Sequence, residues 1–165
     1  MSLRLNILDQ LRGNVFHVTS ENSLSSIRQQ GYIATNETGL LDTPFGFPSS
    51  YGRRKGYVCL FDLRGKSDAD IQFGHDCLCF THPSALGAHI AYLLLSGAAH
   101  CEIITESEAK RDVGPHGSWD WVPRLECWFP RDLPFDSIKS ILHADFGTGT
   151  LTIERLANQQ VHRTQ

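Results

Sequence analysis

The side chains best suited to chemistry in this 165-residue chain are an early histidine, His17, and a late carboxylate, Glu126. His17 stands in VFHVTSENSLSSIRQQGYI and is followed at once by Thr19 and Ser20, which puts small polar groups at the mouth of a strand-to-helix turn. An imidazole there can bind a ligand, but a histidine on an apolar strand can equally be a satisfied structural group, so His17 needs a partner to become a site. Glu126 stands in RLECWFPRDLPFDSIKSI, where period-two alternation sends Leu125, Cys127 and Phe129 one way and Glu126 and Trp128 the other. A carboxylate flanked by Leu125, Cys127 and Trp128 must face a concave or open surface, be paired, or destabilise the fold. Glu106 and Glu108 in TESEA form a competing acidic pair. The densest positive cluster is SSYGRRK, ending in Arg53, Arg54 and Lys55. It reads either as a solvated turn or as a phosphate clamp, because a planar guanidinium matches two phosphate oxygens at once. His75, Cys77, Cys79 and His82 offer nitrogen and sulfur ligands for zinc, but no second pair with CxxC or HxxxH spacing accompanies them. The metal reading therefore ranks below the carboxylate one, and no metal ligand is assigned.

These residues need elements to position them. Met1 to Leu11 reads as a short helix or strand packed on the body, with no small-residue cleavage site after it. Val15, Phe16 and Val18 have strand character; Asn22 or Ser23 is expected to cap a helix with Leu24 and Ile27 on one face, and Gly31 to stop it. Ala34 to Lys55, rich in Gly, Pro, Ser and Thr, reads as a long loop. Tyr57 to Leu63 is expected as a buried strand, Arg64 to Asp70 as a turn, and Cys77 to Thr81 as a second strand. Pro83 and Ser84 open an expected helix through Leu95, with Leu86, Ile90, Leu93 and Leu94 spaced for burial. Cys101 to Thr105 reads as a strand, Glu106 to Trp121 as a polar connection, Leu125 to Phe129 and Ile138 to Ala144 as strands, and Leu151 to Leu156 as a weaker one. Residues 1–157 are expected to form one domain and Asn158 to Gln165 a frayed tail. Many strands with a few helices in no regular alternation indicate an α+β domain with mainly antiparallel sheets.

Composition narrows the partners. A content of 41% hydrophobic residues suffices for one substantial core. Fifteen basic against 18 acidic residues, a net charge of −3, argue against broad attraction to nucleic acid or to an anionic membrane. No apolar run approaches the roughly 18 residues of a membrane span, and five irregularly spaced cysteines fit reduced thiols in the cytoplasm.

Taken together, the motifs resemble the ADP-ribosyltransferases, especially the His-Tyr-Glu branch and the DarT-like enzymes that modify DNA. FHVTS with its capped helix and glycine resembles the family's opening. CLCFTHPSALGAHIAY resembles its second signature, an aromatic at a strand end followed by a helical tyrosine. RLECWFPRDLPFDSIKSI resembles its third, the strand of the catalytic glutamate. The resemblance spans roughly residues 14 to 142, in the family's order. It implies a split pair of sheets around an NAD cleft, with NAD as substrate. Glu126 would be catalytic, holding the ribose 2'-hydroxyl and stabilising the cation that develops as nicotinamide leaves. His17 would bind a ribose hydroxyl, the Val18 backbone the carboxamide, and Thr19 the same edge of the nucleotide. Phe80 and Tyr92 would sandwich the nicotinamide ring, and Arg53 or Arg54 would take the pyrophosphate. The first aromatic is Phe where the branch name implies Tyr, and Val18 stands where the family usually has glycine. The expected activity is NAD-dependent ADP-ribosyl transfer, a glycosyltransferase reaction of toxin-like type, to a protein or nucleic-acid acceptor. A catalytically inactive nucleotide- or partner-binding module of the same fold is the alternative. Whether Tyr51 or Tyr57 lines the site is open.

Overall fold

The computed structural model describes residues 2–39, 41, 49–78, 80–81, 87–117 and 120–156. The elements, in order, are α1 (Leu3–Leu11), β1 (Val15–Ser20), α2 (Glu21–Gln30), β2 (Tyr32–Ile33), α3 (Tyr51–Lys55), β3 (Val58–Asp62), α4 (Asp68–Cys77) and β4 (His89–Leu95). A 3-10 turn (Gly97–Glu102), α5 (Glu106–Val113), β5 (Glu126–Phe129), β6 (Leu133–Pro134), a second 3-10 turn (Phe135–Ser137), β7 (Ile138–Asp145) and β8 (Thr150–Arg155) follow. The fold is mixed α+β with a mainly antiparallel sheet flanked by helices. The main sheet has six strands in the order β5-β3-β1-β4-β7-β8, and β2 pairs separately with β6. No helix among the described residues is long and apolar enough to cross a membrane.

Alternation on the strands divides the core between the two sheet faces. Phe16, Val18, Phe61 and Tyr92 point to one face, where Ile7 and Leu11 of α1 and Ile71 of α4 cover them. Val15, Leu60, Leu93 and Cys127 point to the other, covered by Leu24 and Ile27 of α2 and by Ile33 and Leu133 of the β2-β6 pair. Each fully buried Leu, Ile or Phe side chain contributes about 1.5–3 kcal/mol of transfer free energy. A third cluster lies at the β5 edge, where Tyr51 of α3, Ala109 of α5 and Trp121 of the turn before β5 gather with Trp128. On the second face, polar contacts fasten α2 to the far strands: His143 of β7 lies between Glu21 (2.6 Å) and Glu154 of β8 (3.0 Å), and Arg28 pairs with Glu154.

The opening unit forms as expected, with one shift. Ser20, rather than Asn22 or Ser23, caps α2 by accepting the Ser23 amide at 3.1 Å, and Gly31 ends the helix at φ 82°, a backbone conformation that suits glycine. Several expected elements are corrected. The expected helix to Leu95 is strand β4 over its described part; Pro83 and Ser84 lie outside the described residues. HIAYLLL is buried from Ile90 to Leu95 because β1 and β7 flank it and both sheet faces are covered, so its apolar run has no solvent side to reveal a period of two. Cys77 ends helix α4, which Ser67 caps by accepting the Asp70 amide, instead of starting a strand. Cys101 and Glu102 close a 3-10 turn, leaving only Ile104 to bridge Trp128. The expected connection from Glu106 contains helix α5, and the expected loop to Lys55 ends in helix α3. Leu125 precedes β5 and packs on the face opposite Cys127 and Phe129, because the turn before it includes Arg124 at φ 69°.

Candidate active site

The sheet forks at His17. β1 pairs with β3 only at Val15↔Asp62 and Phe16↔Phe61, while its pairing with β4 continues to Ser20. Beyond Phe16 the imidazole fills the gap, with Nδ1 2.9 Å from the Cys59 carbonyl oxygen. A carbonyl can only accept, so Nδ1 carries the proton and donates, and in the neutral ring Nε2 is an acceptor. Burial pushes the His17 pKa below its ordinary value and so favours the neutral form, with the Cys59 carbonyl pulling the other way.

Glu126 lies two strands away on β5, with Phe61↔Glu126 and Cys59↔Trp128 as cross-strand partners. It is 9% exposed. Its Oε2 accepts the Val122 amide at 2.7 Å and its Oε1 accepts the Trp128 indole N–H at 3.1 Å. Cys59, the cross-strand partner of Trp128, lies near enough for its thiol to act on the carboxylate electrostatically. Burial pushes the carboxyl pKa up to about 7, against the opposing pull of the Val122 amide, Cys59 and Trp128. Burial and the neighbouring carboxylate drive the Cys59 thiol well above its ordinary range, so it remains a protonated donor.

Aromatic rings back this carboxylate. Tyr51 and Trp121 pack edge-on against Trp128, with centroids 4.8 and 5.6 Å away. The Tyr51 hydroxyl donates to Asp112 (3.0 Å), which also pairs with Lys55 (2.7 Å). Of the two tyrosines left open by the sequence, Tyr51 lies against Trp128, while Tyr57 packs on the edge of Tyr51. Gly52 is needed for close approach: a Cβ there would fall 2.6 Å from Trp128 Cδ1 and 2.7 Å from Cys59 Sγ.

The rival carboxylates have structural partners. Glu108 completes a capping box with Thr105, accepting its backbone N–H at 2.8 Å. Glu106 accepts the Trp121 indole (3.3 Å) and the Arg124 amide (3.2 Å) and pairs with Lys110 (2.9 Å). Burial acts to raise the Glu106 pKa, but Lys110, Trp121 and Arg124 outweigh it and hold the group below its ordinary value.

The remaining residues implied for NAD do not join this site. Phe80 and Tyr92 are 0% exposed, and the Tyr92 hydroxyl donates to the Phe80 carbonyl at 2.9 Å. The Phe80 ring packs on Phe16 and Phe61, centroids 5.7 and 5.0 Å away, within the core. Tyr92 is on a strand, not on the expected helix, and pairs with Val18, itself a core residue. Thr19 is buried on the neighbouring position of β1. Arg53 packs over Gly39, and Arg54 pairs with Asp120 (3.3 Å), so the cations after Tyr51 are engaged within the fold. By strand alternation His17 belongs to the face of Leu93, whereas Glu126 belongs to the face of Phe61. Of the residues implied for NAD, Phe80, Tyr92 and Val18 are joined to one another in the core, while His17 and Glu126 are linked through the cross-strand pair of Cys59 and Trp128.

For the zinc alternative, His75 is buried, accepts from Arg4 at 3.1 Å and bonds Thr81 at 2.6 Å. Cys77 is exposed, while Cys79 and His82 lie outside the described residues. Among the described residues no group of three or more His, Cys, Asp or Glu is arranged to hold a metal ion. A shallow depression of about 400 Å³ between α1 and β8, lined by Asn6, Asp9, Gln10, Leu151 and Ile153, shares no residue with the Glu126 cluster.

Cys59 and Gly52 are the residues that sequence reasoning missed. Alternation in YVCLFDL places Cys59 with Phe61, but nothing local pairs it with Trp128. A scan against protein-family models finds no match, and no curated protein matches the chain.

Proposed function

We propose that this chain transfers ADP-ribose from NAD to a protein or nucleic-acid acceptor and releases nicotinamide, with Glu126 as the catalytic carboxylate and His17 as a ribose-binding imidazole. One observation carries the reading: the nearly buried Glu126 carboxylate is held by the Val122 amide and the Trp128 indole, and His17 donates to the carbonyl of Cys59, the cross-strand partner of that same Trp128. In the reaction the bond from the ribose anomeric carbon to the nicotinamide nitrogen breaks, and its electron pair leaves with nicotinamide. A bond from the acceptor's oxygen or nitrogen forms at that carbon, and the acceptor's proton passes to Glu126. Ionised Glu126 favours the positive charge that builds on the sugar, and a carboxyl titrating at about 7 is matched to taking a proton at neutral pH. Neutral His17 offers Nε2 as an acceptor for a ribose hydroxyl. Phe80, Tyr92, Val18 and Thr19 serve as scaffold in this reading. The four cysteines among the described residues are free thiols, in keeping with a proposed cytoplasmic setting.

The test is nicotinamide release from NAD in the presence of protein and nucleic-acid acceptors. Glu126→Gln should lower release about 100-fold or more, and Glu106→Gln with Glu108→Gln should leave most of it. Absence of release from the native protein with every acceptor overturns the catalytic reading. A second reading, an inactive nucleotide- or partner-binding module, is favoured by the alternation that sets His17 and Glu126 on opposite sheet faces. It predicts calorimetric binding of NAD without turnover.

A further inference from the structure

We propose that the outer edge of β8 pairs antiparallel with the β8 edge of a second copy of this chain, about a two-fold axis at Thr152, joining the two main sheets into one. β8 ends the strand order, and among the described residues β7 is the strand it bonds. The ladder fixes which groups face outward. The Leu156 N–H donates to the Lys139 carbonyl (3.1 Å), continuing the Ile141↔Glu154 and His143↔Thr152 register. Groups facing one neighbour recur at every second residue of an antiparallel strand. Thr150, Thr152 and Glu154 therefore bond β7, and Leu151, Ile153 and Arg155 turn their N–H and C=O outward. The opposite edge of the sheet is closed within the chain, because Ile104 exchanges backbone hydrogen bonds with Trp128 of β5 (2.8 and 3.0 Å). β8 carries neither proline nor glycine nor a register shift, the usual guards of an open edge.

What selects a second copy is the fit of the strand to itself. Outward groups must meet outward groups, and a two-fold axis at Thr152 sets Leu151 of each copy against Ile153 of the other. Both residues lie on the α1 face, where Leu151 is half-buried and Ile153 is 50% exposed. They line the depression of about 400 Å³ together with Asn6, Asp9 and Gln10. The second copy covers Ile153 and fills this depression, removing aliphatic surface from water. The same register carries its Arg155 alongside Leu151, where Asp9 supplies the opposite charge; Arg155 has no ion pair among the described residues. On the other face Thr152 meets its own copy and Thr150 meets Glu154, so no like charges stand opposed. Glu154 is itself drawn towards α2 and β7 by Arg28 and His143.

The experiment is sedimentation equilibrium of the full chain over a concentration series, with cysteine cross-linking for the register. The native chain should approach twice its 18.5 kDa mass. Ile153→Pro takes away an outward donor without entering the β7 ladder, and Ile153→Lys puts a charge in the contact. Each should weaken the dimer about tenfold or more while far-ultraviolet circular dichroism stays native. If one of the two does not fold, the other decides. Thr152→Cys should form a disulfide-linked dimer under mild oxidation, because the non-hydrogen-bonded pair on the axis brings the two Cα atoms about 4.5 Å apart. The native chain, whose Cys77 and Cys101 are exposed, is the control. A monomer at every concentration overturns the proposal, and this is the outcome if a foreign strand or the chain's own residues 157–165 take the edge instead. A dimer that the folded Ile153 variants leave intact, or that Thr152→Cys does not cross-link, overturns it as well.

Discussion

His17 and Glu126 stand on strands that never pair with each other, yet both bond to one cross-strand pair: the imidazole donates to the Cys59 carbonyl oxygen (2.9 Å), and the carboxylate accepts the indole N–H of Trp128, the partner of Cys59 (3.1 Å). Any displacement of β3 therefore acts on both groups together.

This arrangement gives His17 a specific kinetic signature. With Nδ1–H directed at the Cys59 carbonyl, only Nε2 remains for a substrate hydroxyl. His17→Ala should raise the KM for NAD about tenfold, the equivalent of one lost hydrogen bond, with a smaller change in kcat. A fall in kcat alone would contradict the ribose-binding role.

Glu126 should leave a mark on stability against pH. Its folded pKa, about 7, lies above the ordinary carboxylate value, so the folded state binds the proton more tightly and loses this contribution as pH rises towards 7. Relative to Glu126→Gln, the native chain should lose up to about 3 kcal/mol between pH 4.5 and 8. Urea unfolding of both proteins across this range isolates the effect, because the other carboxylates are common to both. A flat difference would show that Glu126 is not held in the way its burial indicates.

Glu106 and Glu126 act on one turn but should separate in function. Glu106 holds Trp121 and the Arg124 amide from outside, so Glu106→Gln should cost about 1 kcal/mol of stability and spare turnover. Denaturation midpoints and nicotinamide release, measured on the same preparation, check both halves.

Tyr92 should be structural. Tyr92→Phe removes the donor to the Phe80 carbonyl and should destabilise by about 1–3 kcal/mol with no change in the KM for NAD. A raised KM without a stability change would return Tyr92 to the ring-stacking role implied by the family resemblance.

Gly52→Ala should disturb the site without touching an ionisable group. The added methyl would meet Trp128 and Cys59, and relieving it should destabilise by about 1–3 kcal/mol and alter the near-ultraviolet signal of the tryptophans. An unaltered spectrum would show that α3 is not pressed on Trp128 as described.

Much of the fold is local in origin. The β-branched and aromatic runs at Val15, Val58, Ile138 and Leu151 form strands, and Ser20 and Gly31 bound α2, because propensity and capping act over a few residues. HIAYLLL misleads because Ile90, Leu93 and Leu94 fit a helical spacing as well as a strand buried on both faces. Only the presence of β1 and β7 on its two sides decides between them. The same limit applies to the site. The sequence by itself determined that a carboxylate would sit among apolar neighbours beside Trp128, since residue types and alternation are local properties. The tertiary structure alone decided that the Cys59 carbonyl would reach His17, that Trp128 would hold Glu126 beneath Gly52, and that Phe80 and Tyr92 would lie in the core. Those outcomes depend on strand register and helix docking, which arise from contacts between residues far apart in the chain.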